Sequence, residues 1–139
     1  YARAIAAYEE TLVTPAPFDR YLTGDGRALS ARQKEGLRTF VAVGCASCHD
    51  GPLLGGRSLR VFGVVAPYPP ATGSERIDTG LHESTGKDED RFLFRVSMLR
   101  NVARTAPYFH DGSASDLKGA VRVMAQTQLG RRLSDRETT

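Results

Sequence analysis

The sequence predicts a mainly α fold with long irregular loops. Three observations predict it. Helical stretches are announced by start signals, of which Ser30-Ala31-Arg32-Gln33 and Ser113-Ala114-Ser115-Asp116 precede the best apolar patterns. Residues 51–90 show little periodicity and are rich in Gly, Pro, Ser, Thr and charge. Such a length of irregular chain is unusual in a compact domain unless something besides side chains supplies part of the core. The only two cysteines lie together in Cys45-Ala46-Ser47-Cys48-His49.

That last stretch explains the second. C-x-x-C-H is the attachment signal of a c-type haem. Each thiol, Cys45 and Cys48, can add to a haem vinyl group to form a thioether. His49 then supplies an imidazole nitrogen to the iron. The expected fold is therefore a cytochrome c-like haem domain over residues 1–139, with haem c as cofactor. A zinc site would need four ligands, and only His82 and His110 remain as other imidazoles, neither at finger spacing. A thioredoxin dithiol would sit in a βαβ pattern, which is absent.

The elements follow in order. Residues 2–13 read as a helix with Ala2, Ile5, Ala6, Leu12 and Val13 near one stripe, ended by Thr14-Pro15-Ala16-Pro17. Phe18 to Leu22 forms a short helical turn. The capping box at Ser30 starts a helix carrying Leu37, Phe40 and Val41, which ends at Gly44 and delivers the chain to Cys45. Leu59 to Val65 is a short apolar, strand-like run. Residues 91–102 read as an extended entry and then a short helix around Leu99 to Arg104, broken by Thr105-Ala106-Pro107. Leu117, Ala120, Val121, Met124 and Ala125 recur at helical spacing, and Gly130 closes that helix. Ser134-Asp135-Arg136-Glu137 is a third capping box, close to Thr139.

Composition narrows the function. The 139 residues carry a net charge of +3, dispersed and mostly arginine, with Lys only at 34, 87 and 118. No basic run interleaved with aromatics argues for nucleic acid. No apolar run approaches the roughly 20 residues of a membrane span, so a soluble domain is expected. The chain starts at Tyr1 with no signal peptide, and it is expected to be a piece of something longer. Because haem is attached covalently outside the bacterial cytoplasm, the expected location is periplasmic.

The iron's sixth position has four candidates: Met98, Met124, His82 and His110. Methionine sulfur would raise the potential and suit an electron carrier. Met124 sits on a helical stripe where a methionine is more often core filler. His82 lies in a polar loop. His110 lies in an aromatic turn, where a hydrogen-bonded structural role competes with ligation. The residues alone leave the choice open.

Several blocks together resemble the bacterial dihaem cytochrome c peroxidases. They are 11–15, 17–21, Cys45 to Gly55, Asp78-Thr79-Gly80, 85–91, the block LRNVARTAPYFHDG at 99–112, Val123-Met124-Ala125 and Gln128-Leu129-Gly130. The likeness is to the C-terminal domain, whose haem has His/Met ligation and receives electrons. It implies Met124 as sixth ligand, with Met98 a minor rival because Val96-Ser97-Met98 departs from the usual V-P-S/T. In c-type cytochromes with a similar G-P-x-L-x-G stretch, the proline carbonyl accepts the other ring N–H of the histidine, which assigns Pro52 to His49. The family also binds calcium between its domains, partly through carbonyls that match Thr105 and Pro107, although two carbonyls fall short of the 6–8 oxygens Ca²⁺ takes.

The resemblance further implies an N-terminal peroxidatic haem domain, a small donor such as cytochrome c or a cupredoxin, and room for a homodimer of the full-length protein. No residue here is placed to cleave an O–O bond, so this piece alone is expected to be a redox protein without peroxidase activity. The rival readings are a stand-alone monohaem carrier, a MauG-like oxidase domain, whose relatives carry tyrosine in place of the distal methionine, and a non-catalytic peroxidase-like domain.

Overall fold

A computed structural model describes residues 1–12 and 14–138. They form two compact units, divided between Glu35 and Gly36. The fold is mainly α with one small sheet, as the start signals require.

In the first unit, α1 spans Ala2–Glu9 and none of its residues is buried. Its expected end at Val13 lies outside the described residues. The second helix, α2, spans Pro17–Leu22. Proline fits the first helical position because its missing N–H would have no partner there. Asp19 accepts the Ala16 N–H at 2.6 Å, satisfying a donor just ahead of the helix. α3 spans Ala31–Val43 and crosses the division. Its capping box forms: Gln33 N–H donates to Ser30 Oγ at 3.2 Å, and Ser30 N–H donates to Gln33 Oε1 at 2.9 Å.

In the second unit the irregular 51–90 stretch holds only short elements. β1 covers Leu59–Val61, α4 Tyr68–Thr72 and α5 His82–Thr85. β2 covers Leu93–Arg95 and pairs antiparallel with β1, placing Leu59 opposite Arg95 and Val61 opposite Leu93. A single 3-10 turn, Val102–Arg104, is all that follows of the helix expected near Leu99. The long helix α6 spans Leu117–Leu129.

α6 follows the capping signature at 113–116. Asp116, the last residue of that signature, is the capping residue and accepts the Gly119 N–H at 2.8 Å. It has the extended backbone that a capping residue needs. Gly130 ends it in a left-handed conformation, φ +63°.

The core is aromatic. Phe62 stacks on Tyr68 with centroids 4.6 Å apart, and Phe92 and Phe94 meet Tyr68 edge-on. The Tyr68 ring is only 1% exposed. Its hydroxyl donates to the Asp78 carbonyl at 2.7 Å and accepts the Asp78 N–H at 3.1 Å, so burial leaves no phenol group unsatisfied. The strand-like run stops at Val61 because the chain turns onto α6. Val65 N–H donates to the Thr127 carbonyl at 2.8 Å, and the Gln128 side chain spans Val61 O and Val64 N–H.

Candidate functional site

α3 brings the chain to the motif and Gly44 turns it. Gly44 has φ +106°, a region open to glycine at little cost. Residues Cys45–Ser47 form a 3-10 turn, and His49 N–H donates back to the Cys45 carbonyl at 3.0 Å. On such a turn, residues three apart are neighbours, so the turn presents both thiols together. Cys45 and Cys48 are free thiols and half-buried. Burial pushes the Cys45 thiol pKa up, opposed by a backbone hydrogen bond and by Arg131.

His49 is held by main chain. Its Nδ1 lies 3.3 Å from the Leu54 carbonyl and 3.1 Å from the Ser97 carbonyl. A carbonyl oxygen can only accept, so Nδ1 carries the proton. The lone pair is then on Nε2, which has no hydrogen-bond partner among the described residues. That is the tautomer a metal-binding imidazole needs. Phe40 packs near the ring, with centroids 6.5 Å apart.

Pro52 does not take the place expected of it. Its carbonyl accepts from Arg100 Nη1 at 3.3 Å. The reason lies in the turn. Leu54 N–H donates to Gly51 O and Gly55 N–H to Asp50 O, putting Pro52 at the corner that its fixed φ favours. Leu54 has φ +53°, and it is the Leu54 carbonyl that reaches the ring.

A second segment is clasped to this turn. Gly56 N–H donates to Val96 O at 2.7 Å, and Leu99 N–H is shared between Leu53 O and Leu54 O. Arg95 Nε donates to Gly56 O at 2.9 Å. Reading the sequence for side-chain chemistry missed Ser97 and Leu54, because their contribution is a carbonyl. The only available signal was the pair Gly55-Gly56, since adjacent glycines mark close backbone approach.

The other candidates are spread over the second unit. Met124 is half-buried on α6, beside the buried Ala125. Met98 is exposed, and its side chain lies against Gly56. His82 Nδ1 lies 2.8 Å from the Lys87 carbonyl. His110 stacks on Phe94 with centroids 4.5 Å apart, and its Nε2 is 3.7 Å from Asp78 Oδ2. Thr105 and Pro107 lie in an exposed segment after the 3-10 turn, with Thr105 Oγ1 donating to Val102 O at 3.0 Å. Among the described residues, no three His, Cys, Asp or Glu side chains converge as a metal site.

No protein-family model matches the chain. Curated relatives do. The cytochrome c551 peroxidase of Pseudomonas aeruginosa is 49% identical over 134 residues, covering 96% of this chain and 38% of that protein. The cytochrome c551 peroxidase of Nitrosomonas europaea is 45% identical over 140 residues, covering 98% and 40%. The chain belongs to the bacterial cytochrome c peroxidase family. It spans about two fifths of the length of these two relatives. Among solved structures, a MauG-like protein associated with microbial copper homeostasis matches with a TM-score of 0.70 over 91% of this chain and 45% of that one. At 22% identity this is a likeness of fold.

Membership of the cytochrome c peroxidases implies haem c. The residues present fit it: two free thiols on one turn, followed by an imidazole whose Nδ1 is engaged and whose Nε2 is not. No helix among the described residues is long and apolar enough to cross a membrane.

Proposed function

We propose that residues 1–139 are the C-terminal, electron-accepting haem domain of a periplasmic dihaem cytochrome c peroxidase. The observation that carries this reading is the state of His49, held at Nδ1 by two carbonyls at the end of the C-x-x-C-H turn. Haem c supplies reversible one-electron chemistry when bound.

The chain's own residues do the rest. Cys45 and Cys48 attach the group. His49 Nε2 and the Met124 sulfur would hold the iron. A histidine–methionine pair would favour the ferrous state, which suits electron transfer rather than peroxide chemistry. The domain receives electrons from a small donor, a cytochrome c or a cupredoxin. It passes them to an N-terminal peroxidatic haem domain, where hydrogen peroxide takes two electrons and two protons to give two waters. Thr105 and Pro107 would lend carbonyl oxygens to a calcium ion completed by waters and the neighbouring domain. The full-length protein would associate as a homodimer.

The test is the absorption spectrum of the oxidised, haem-loaded protein beside its Met124→Ala variant. A methionine-to-ferric charge-transfer band is expected in the parent and absent in the variant. If the band survives the substitution, Met124 is not the ligand. A high-spin or tyrosinate spectrum for this haem in the parent would instead favour the MauG-like reading.

A further inference from the structure

We propose that the backbone carbonyl of Ser97, admitted by Gly55, is the acceptor that orients His49 and tunes its strength as a ligand. Pro52 does not have this role. The proposal rests on the reading of His49 as a haem ligand.

One N–H faces two acceptors. The Ser97 oxygen, at 3.1 Å, lies within the usual N–H···O range, whereas the Leu54 oxygen, at 3.3 Å, lies just beyond it. Ser97 is also held in place from both sides. Val96 O accepts the Gly56 N–H, and Leu99 N–H reaches back to Leu53 O and Leu54 O. The acceptor therefore belongs to a short ladder between two segments distant in sequence.

Gly55 makes the approach possible. A Cβ built there would stand 2.3 Å from the Ser97 oxygen and 3.4 Å from His49 Nδ1. Its φ of +134° is one that side chains rarely adopt. Gly55 is thus a positioning residue, acting on His49 through the Ser97 carbonyl.

The chemistry has a sign. Donation from Nδ1–H to a carbonyl pushes electron density toward Nε2 and makes the imidazole a stronger ligand. A stronger donor favours the ferric state and lowers the potential. Weakening the acceptor should therefore raise it. The Ser97 side chain plays no part, so Ser97→Ala should be silent.

The test uses the full-length, haem-loaded protein and two backbone substitutions. Replacing Met98 by its α-hydroxy analogue turns the Ser97 carbonyl into an ester, a weaker acceptor. Replacing Leu53 by its α-hydroxy analogue does the same to Pro52. Neither the Met98 N–H nor the Leu53 N–H donates a backbone hydrogen bond among the described residues. The readouts are the midpoint potential of this domain's haem and the Nδ1–H proton resonance in the reduced protein.

The ester after Ser97 is expected to raise the potential and move the resonance upfield, with the ester after Pro52 and Ser97→Ala unchanged. Gly55→Ala should shift the potential in the same direction, and the ester pair decides the matter if that variant fails to load haem. An effect from the Pro52 ester alone, or from neither ester, overturns the proposal while leaving the haem reading intact. A parent protein with no covalent haem overturns both.

Discussion

Around Tyr68 the second unit is held by side chains. Phe62, Phe92 and Phe94 surround the ring, and the phenol hydroxyl is bonded twice to Asp78. Around His49 it is held by main chain. There the contacts are carbonyls and N–H groups of 53–56 and 96–99, while Cys45, Cys48 and His49 stay half-buried. The difference teaches a division of labour. Apolar packing is non-directional and supplies stability. Hydrogen bonds from a rigid backbone set direction, and here they aim one imidazole nitrogen while leaving the other, and two thiols, available for a cofactor.

That contrast can be broken from either side. The largest effect is expected from removing both thiols. Cys45→Ala with Cys48→Ala should abolish covalent haem, seen as loss of haem staining on a denaturing gel, while the Tyr68 cluster persists in near-ultraviolet circular dichroism. Collapse of that signal would mean the aromatic core depends on the haem site.

Phe62→Ala should cost about 3–5 kcal/mol in denaturant unfolding, the usual loss for a buried aromatic ring. A loss below about 1 kcal/mol would mean the stack on Tyr68 is not the core, since even a modest core truncation exceeds that. Tyr68→Phe should cost about 1–3 kcal/mol, because two part-buried hydrogen bonds to the Asp78 backbone would be lost.

The smallest effect concerns pH. Burial would raise the Asp111 carboxyl pKa, but hydrogen bonds from Ser74 and Ser113 outweigh it and hold it below the usual carboxylate value. Folding therefore favours the ionised form. The contribution is complete above the unfolded value of about 4 and is lost as pH falls through the lower folded value. Melting temperature against pH should show a steeper acid limb in the parent than in Asp111→Asn.

Much of this was legible in advance because it rests on side-chain identity. The capping box at Ser30 and the apolar spacing of 117–125 marked α3 and α6, and C-x-x-C-H marked the turn that carries the two thiols and the imidazole. α4 and α5 left no signal, since a five-residue helix with Pro69 and Pro70 near its start has no room for a repeat. The extended entry at 91–102 was expected, but its partner in β1 was not, because three-residue strands alternate too briefly to specify pairing. The signature at 113–116 announced α6, but which of its residues caps the helix was decided by backbone conformation, since Ser113 and Asp116 both suit a cap.

The sequence by itself determined which side chains could hold a cofactor. Two thiols and an imidazole at that spacing need no fold to be recognised, because reactivity resides in the side chains. Only the tertiary structure decided which carbonyls take the Nδ1 proton. Every residue carries a carbonyl, so none is distinguished by its letter. Ser97 reaches His49 because a ladder between distant segments places it there, and because Gly55 has no side chain to stand in the way.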